Sequence, residues 1–507
     1  MHKNNVQNNI LTYLPHIIYG LIFVLYLPKI VNIRLFLDDH VLIWPALTKT
    51  YLQDIVNYTY GFGLYRPFRL IFLYYPLYTL YTIAPWLPYL FLFSTHVVTG
   101  ILIYKITRAY TEKTFAFLLS LVYITFPFFT EQYAWIATST TIVNGILFLQ
   151  LYILLISKLS LKYKIIWIFF LQFIGAFTYD TLFFNFLLLG FVLYRRRKEL
   201  ALSFSTISIY SFLFAIPSCL YVFLRSFVWY PHDKATLREL QLTNLPHIIS
   251  IEWQNLLTFL NSQRFLFLGK GSHIDFWLYN ITQGLQNIIM HPFYILLFVA
   301  ILLCGYLFFH NERLKKITDK NNNGDELILY SILIAILSLL PAFLVTIPAF
   351  PFRVIAMTLW ALINVLLLLM WRISKKLGYI VAIFVFLTGI IMSLQILTDM
   401  RKVYEDDNML TDQIVSAIDA HTDMSNRVVI ILNNMPYSTN TVYNYGEYLK
   451  NCITVNWCIQ MELARKTNRV EKVIINPLHN ITDHKTYLEF VFNKEVKRLN
   501  FIQKYQL

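Results

Sequence analysis

Long apolar runs recur along the chain from residue 11 to residue 397, separated by short polar loops. A helix that crosses a lipid bilayer needs roughly 20 mostly apolar residues, and a series of such runs is typical of a polytopic membrane protein. The composition agrees, because 57% of the 507 residues are hydrophobic and 17% are aromatic. We therefore predict a mainly α-helical membrane bundle rather than a soluble domain. The apolar runs lie at 11–31, 68–82, 83–104, 114–129, 136–157, 165–179, 181–194, 203–224, 288–309, 327–350, 354–371 and 378–397.

Basic side chains cluster in the loops between these runs, which accounts for the net charge of +14 without a nucleic-acid partner. Loops rich in Lys and Arg stay on the cytoplasmic side, so we place every cluster there. This requires that 68–82, a short run interrupted by Pro76, lies on the outer face without crossing. The sequence then predicts eleven spans, a cytoplasmic N-terminus and an extracytoplasmic C-terminus, in a bacterial inner membrane. The clusters are Lys105, Arg108 and Lys113; Lys158, Lys162 and Lys164; Arg195, Arg196, Arg197 and Lys198; Arg313, Lys315, Lys316 and Lys320; and Arg372, Lys375 and Lys376.

The chain divides at residue 398, where the composition becomes polar. We assign 1–397 to the membrane domain and 398–507 to a small extracytoplasmic α/β domain of ordinary size. Cys452 and Cys458 lie in the second part, where a disulfide can form if the compartment is oxidising. The secondary structure predicted for this domain consists of β-strands at 427–432 and 470–475 and a helix at 458–467.

The outer loop 32–82 carries two adjacent acids, Asp38 and Asp39. A carboxylate near hydrocarbon is costly, so such residues are usually functional or face water. One interpretation is that both are solvated or pair with Arg34. The other is a general base that removes a proton from an acceptor hydroxyl. Adjacent side chains point in different directions, so at most one acid is the base; the other orients it or binds a divalent cation such as Mg²⁺ or Mn²⁺.

Two arginines on the predicted outer face are candidates for binding phosphate. Arg66, which follows Tyr65, either snorkels from the head of an apolar helix or hydrogen-bonds a phosphate in a bidentate way. Arg353 lies between two late apolar runs, on the side where positive-inside statistics disfavour a cation. Binding of an anionic lipid phosphate explains its presence there.

Two further acids mark turns on the same face. Glu131 lies in the turn TEQYAW between two runs, and Asp180 lies between two short runs. Each is either an ordinary interfacial residue, with Asp180 capping the following helix, or part of a substrate site. The chain has no phosphate-cradling Gly-rich loop, Walker lysine, G-x-S-x-G or Cys-x-x-Cys motif, which argues against a nucleotide-sugar enzyme with a soluble catalytic domain.

The order and spacing of four segments resemble the multi-spanning GT-C glycosyltransferases. The segments are LDDHVLIWPAL, YRPF, FPFFTEQYAWIATSTTIVNGILF and PFRVIAMTLWALINVLLL. The likeness extends over about residues 11–371, and the group includes protein O-mannosyltransferases and the lipid A aminoarabinose transferase. It implies inverting transfer of a hexose or pentose from a polyprenyl-phosphate donor on the extracytoplasmic face, with no metal required. The implied partners are that donor, an envelope glycan, lipid or protein acceptor, and the membrane lipids.

The same resemblance implies roles for individual residues. Asp38 matches the first acid of the pair that usually serves as base, and Glu131 matches the acid of the second outer loop. Arg353 falls where the family places a basic residue for the donor phosphate, and Arg66 matches an Arg-Pro step. The chain departs from the family at Asp180, where relatives often have a Lys-Glu pair.

Two other classes of protein remain open at this point. An O-antigen-type polysaccharide polymerase or ligase is expected to carry catalytic arginines on a large outer loop, and the loop 225–287 contains Arg225, Arg238 and Arg264. A lipid or solute transporter favours internal repeats and polar residues in mid-span. Here the acids gather at the outer interface instead, which ranks the transporter third.

Overall fold

In the computed structural model, the chain forms a bundle of helices followed by a four-stranded sheet. The apolar runs become helices because a helix satisfies its own backbone polar groups where water is absent. The residues described are 2–35, 39–50, 53, 69–179, 182–224, 250, 253–254, 273–314, 324–343, 352–421, 428–435, 456–467, 470–475, 486–493 and 498–506.

Helices account for nearly all the described chain as far as His421. The first group is α1 (His2–Ile30), α2 (Asp39–Leu42), α3 (Trp44–Thr48), a π-helical turn (Leu70–Tyr74) that continues into α4 (Tyr75–Ile83), α5 (Leu87–Thr107), α6 (Lys113–Ile124), a 3₁₀ turn (Pro127–Phe129), α7 (Thr130–Ala134) and α8 (Thr140–Leu155). The second group is α9 (Leu161–Thr178), α10 (Asn185–Arg195), α11 (Phe204–Phe223), α12 (His273–Met290), α13 (Pro292–Leu314), α14 (Gly324–Leu339), a 3₁₀ turn (Leu340–Phe343), α15 (Phe352–Ile373) and α16 (Lys375–His421).

Seven of the described helices are long and apolar enough to cross a membrane, and the bent pair α6–α7 makes an eighth candidate. Shorter apolar helices, among them α8 and α10, pack between them. This confirms the predicted polytopic helical bundle, and the chain is an integral membrane protein. The number of eleven spans and the orientation stay predictions.

The run predicted to lie on the outer face forms the π-helical turn and α4. Together they contain 14 residues, a length of about 21 Å, which is shorter than the roughly 30 Å hydrocarbon core. The residue before this helix, Arg69, bonds to Ala137, and near its far end Tyr81 interacts with Arg465 of the C-terminal domain. Both ends of the helix therefore lie at one end of the bundle, which also carries Asp39 and is called the Asp39 end below.

The last membrane helix does not stop at the bundle. α16 has 47 residues, about 70 Å, which is more than twice the thickness of the hydrocarbon core. It runs through the domain boundary predicted at residue 398, and Leu410, Ile414 and Ile418 belong to the core of the C-terminal domain. One continuous helix thus joins the two domains.

The C-terminal domain is a small α/β unit, as predicted. Its sheet has the order β2-β1-β3-β4, with β1 parallel to both neighbours and β4 antiparallel to β3. The central strand β1 is buried on both faces, which explains its run of Val, Ile and Leu. The predicted strands and helix match β1, β2 and α17 within two residues, whereas the sequence did not predict β3 and β4. The bounds are β1 (Val428–Asn433), α17 (Asn456–Lys466), β2 (Val470–Ile475), β3 (Thr486–Asn493) and β4 (Arg498–Gln506).

Helix α17 joins the two domains a second time. Cys458 packs in the core of the membrane domain, whereas Ile459 belongs to the core of the C-terminal domain. The same helix packs against α2, which begins at Asp39. Cys458 is disulfide-bonded; Cys452, the other cysteine considered for a disulfide, lies outside the described residues.

Candidate functional site

The carboxylate of Asp39 is fully buried where α2 begins, with 0% of the residue exposed. Its Oδ1 accepts a hydrogen bond from the Tyr78 hydroxyl at 2.7 Å and another from the Ala137 backbone N–H at 2.8 Å. Both donors belong to the protein, so they replace the hydrogen bonds that water would make to this oxygen. Asp39 is therefore not a solvated loop residue.

The backbone that meets Asp39 belongs to a break in the membrane bundle, between α6 and α8. The axis bends by 44° here, and residues 126–139 are all buried. Backbone that departs from a straight helix at membrane depth is tolerated where protein surrounds it. Polar side chains hold this segment in place: Asn144 donates to Gln132 Oε1 at 2.7 Å, and the Thr138 hydroxyl donates to the Glu131 carbonyl at 3.0 Å.

Both backbone polar groups of Ala137 are held by side chains from the outer loop and helix. Its N–H donates to Asp39, and its carbonyl accepts from the Tyr74 hydroxyl at 2.8 Å and from Nη2 of Arg69. Because these partners are 63 to 98 residues away in sequence, the contact joins two distant parts of the chain. It places a carboxylate and a guanidinium on either side of one residue.

Arg69 is a buried cation, with 8% of the residue exposed. Its Cζ lies 4.9 Å from the ring centroid of Tyr74 and 4.9 Å from that of Tyr179, so two aromatic rings hold the guanidinium. Among the described residues no carboxylate lies within ion-pair distance of it. A buried cation without a counter-ion is unfavourable unless an anion binds there.

Helix α17 covers the Asp39 end from the C-terminal domain. Burial raises the pKa of Tyr81 to about 12, against the opposing effect of the nearby Arg465. Arg465 Nη2 donates to both carboxylate oxygens of Glu462, at 2.8 and 2.7 Å, and Glu462 is buried. This side of the site is therefore formed by the C-terminal domain and excludes water from Tyr81.

Asp39 and Glu131 are the two predicted site residues whose side chains are described, and both lie at this end of the bundle. Glu131, with 2% of the residue exposed, is on α7, in the same buried segment as Ala137. Arg353 is the second residue of α15, and its side chain is outside the described part. Four further predicted site residues and the three arginines of the polymerase alternative also lie outside the described residues: Asp38, Tyr65, Arg66 and Asp180, and Arg225, Arg238 and Arg264.

Sequence reasoning missed the side chains that hold Asp39 and Ala137. Arg69 stands three residues after Arg66 at the head of an apolar run, and that unusual position was the available signal. Tyr74 and Tyr78 are spaced by four residues, so they lie on one face of the helix. Nothing local distinguished them from the many other aromatic residues of the chain.

Asp38, the other acid considered for a divalent cation, lies outside the described residues, and the described partners of Asp39 Oδ1 are hydrogen-bond donors. These partners are the Tyr78 hydroxyl and the Ala137 N–H, whereas a metal ion requires oxygen ligands with lone pairs directed at it. Within the described ranges, no group of three or more His, Cys, Asp or Glu side chains is placed to hold a metal.

A solved structure is similar to this chain over most of its length. No protein-family model matches the chain, and no curated protein matches it. The crystal structure of ArnT from Cupriavidus metallidurans bound to undecaprenyl phosphate is similar over 95% of this chain and 93% of that chain, with a TM-score of 0.37 and 10% sequence identity. Similarity at this level assigns neither residues nor an activity.

Proposed function

We propose that the chain is an inverting glycosyltransferase that moves a sugar from a polyprenyl-phosphate donor to an extracytoplasmic glycolipid, polysaccharide or protein acceptor. The observation that carries this proposal is the pairing of a buried carboxylate and a buried cation around one residue. Asp39 and Arg69 meet at Ala137, at one end of a membrane bundle. Transfer of a sugar from a lipid-linked phosphate needs a base for the acceptor hydroxyl and a cation for the phosphate. This site offers a loop with two adjacent acids and a buried guanidinium.

The two adjacent acids have different roles in this mechanism. Asp39 already accepts two hydrogen bonds on one oxygen, so it positions the outer loop against Ala137. Asp38 is the general base: it takes the proton of the acceptor hydroxyl as the oxygen attacks the anomeric carbon. Attack occurs on the face opposite the leaving phosphate, so the configuration inverts. General base catalysis of this kind contributes roughly 10²–10⁴ to the rate.

Arg69 binds the donor phosphate in our proposal. Charge builds up on the polyprenyl phosphate as the bond to the sugar breaks, and a fixed cation stabilises it. The two tyrosine rings hold the guanidinium in place before the substrate arrives, so little reorganisation is required. Arg66 and Arg353 are the further cations that the sequence offers for the same phosphate. No metal is required.

The proposed location is the extracytoplasmic face of a bacterial inner membrane. The positive-inside rule supports this orientation, because it puts the basic loops on the other side. The disulfide at Cys458 also supports it, because disulfides persist in oxidising compartments. The C-terminal domain then lies outside, above the Asp39 end.

A transfer assay in liposomes tests the proposal. Purified protein is supplied with a panel of radiolabelled polyprenyl-phosphate sugars and crude envelope acceptor, and the wild type is compared with Asp38→Asn and Asp39→Asn. We expect label transfer by the wild type, no transfer by Asp38→Asn with donor binding retained, and a reduced rate for Asp39→Asn.

Two results would redirect the assignment. If both variants transfer label at the wild-type rate, the acid pair has no catalytic role, and the polymerase or ligase alternative with Arg225, Arg238 and Arg264 becomes the better candidate. If donor crosses the bilayer without any transfer, the protein is a transporter.

A further inference from the structure

An open groove runs along the part of α16 that extends beyond the membrane domain. It has a volume of about 630 Å³, within the roughly 300–1,000 Å³ usual for small-molecule sites. From Tyr404 to Ser416 it follows one face of the helix for about 18 Å, because residues four apart lie one above the other. Most of its exposed surface is apolar, and it is lined by Met409 together with the polar residues Tyr404, Glu405, Asn408, Asp412, Gln413 and Ser416.

The groove begins beside the Asp39 end. Its residues Asn408 and Asp412 bond to Lys466 of α17, and α17 packs against α2, which begins at Asp39. From there the groove leads away from the bundle, because α16 continues into the C-terminal domain. A molecule lying in it would have one end near the Asp39 end of the bundle.

Several polar side chains of the groove are held by partners beside it or on other elements. Lys466 of α17 donates to Asn408 Oδ1 at 2.8 Å and to Asp412 at 2.6 Å. The Leu499 N–H of β4 donates to Gln413 Oε1 at 2.9 Å, which leaves the Gln413 amide NH₂ to face another partner. Such partners reduce the entropy that these side chains lose when they bind a ligand. An ordinary solvated helix face does not require them.

The charges of the groove favour a neutral ligand. Its two carboxylates are each paired, Glu405 with Arg401 at 2.6 Å and Asp412 with Lys466 at 2.6 Å. Because a cation compensates each carboxylate, the groove has no excess charge to attract an ion, whereas the carboxylate oxygens still accept hydrogen bonds from hydroxyl groups. A half-exposed tyrosine beside carboxylates and amides offers an aromatic face together with acceptors and donors at short intervals.

We propose that this groove binds the acceptor of the transfer reaction, and that the acceptor is a neutral, hydroxyl-rich glycan chain lying along α16. Its hydroxyls bond to Glu405, Asn408, Asp412 and Gln413, and one sugar ring packs on Tyr404. The end of the chain at the Asp39 end presents the hydroxyl that is glycosylated. This inference rests on the proposed function for its role as acceptor site, but not for the binding itself.

Binding is measured first in the absence of any donor. The full-length protein in lipid nanodiscs is exposed to fluorescent neutral gluco-, galacto- and manno-tetrasaccharides and to their sulfated counterparts. Ser416→Trp fills the groove from an exposed position, and the double variant Glu405→Gln/Asp412→Asn keeps the shape but changes the acceptors. Asp419→Asn, an exposed residue of the same helix outside the groove, is the matched control.

We expect saturable binding of at least one neutral tetrasaccharide, with Kd raised at least tenfold in both groove variants and within twofold of wild type in Asp419→Asn. Binding of only the sulfated forms, binding of none, or equal binding by all variants would overturn the proposal. Transfer kinetics separate it from the proposed function. Groove-dependent glycan binding without any sugar transfer supports the groove and contradicts the transferase. Transfer with an unchanged acceptor KM in Ser416→Trp contradicts the groove alone.

Discussion

Removing the Tyr78 hydroxyl is the sharpest test of the role of Asp39. Both side chains are fully buried, and the hydroxyl donates to Asp39 Oδ1 at 2.7 Å. Tyr78→Phe removes this donor and nearly nothing else, so Asp39 keeps only one of its two named hydrogen bonds, that from Ala137. The carboxylate is then held less firmly against Ala137, and the outer loop that carries it is positioned less precisely.

The size of the effect follows from the hydrogen bond. A bond to a charged group contributes about 1.5–3 kcal/mol, so complete loss in the transition state lowers the transfer rate about 10- to 160-fold. We expect this decrease in kcat in the liposome transfer assay. The KM for donor should change little, because Tyr78 does not contact the phosphate in our proposal.

Tyr19→Phe provides the matched control. The Tyr19 hydroxyl is also buried and shares a hydrogen bond of 2.6 Å with Ser120, and neither residue is among the named partners of Asp39 or Ala137. It should cost about 1 kcal/mol of stability and leave transfer unchanged. The reasoning is refuted if Tyr78→Phe transfers sugar at the wild-type rate while folding normally, or if Tyr19→Phe loses as much activity.

Three further outcomes follow from the structure. Arg69→Lys keeps the charge but loses the planar guanidinium that stacks between two rings, so the donor KM should rise about tenfold with the acceptor KM unchanged; an unchanged donor KM would remove Arg69 from the phosphate site. Gly389→Ala places a Cβ 2.6 Å from the backbone carbonyl oxygen of Thr125 and should destabilise the fold by about 1–3 kcal/mol in thermal unfolding, whereas Gly305→Ala, with nothing within 4 Å, should not. Burial raises the pKa of Tyr81 from 10.0 to about 12. The protonated side chain therefore contributes about 2–3 kcal/mol to the free energy of unfolding below pH 10, and this contribution is lost as the pH rises to 12. The protection factors of the α17 amides, which are corrected for the base-catalysed rise in intrinsic exchange, should therefore decrease over that interval in the wild type and decrease less in Tyr81→Phe.

The sequence was a good guide to elements that depend on local composition. The helical bundle, the polar C-terminal domain, β1, β2 and α17 were all predicted, because hydrophobic length and β-branched content act over a few residues. The strands β3 and β4 were missed, since residues 486–506 mix polar and apolar side chains and the strands are defined by pairing with β1 and with each other. The domain boundary at 398 marks a real change of composition, but the backbone remains helical across it.

By itself, the sequence determined that this protein lies in a membrane and that acids and arginines stand at the loops between its spans. Only the tertiary structure decided that Asp39 meets Ala137, 98 residues away, and that Arg69, Tyr74 and Tyr78 hold the same contact. It also placed α17 against α2 and formed the groove along α16. The physical reason is that apolar length acts locally, whereas a buried polar contact depends on the packing of helices that are distant in the chain.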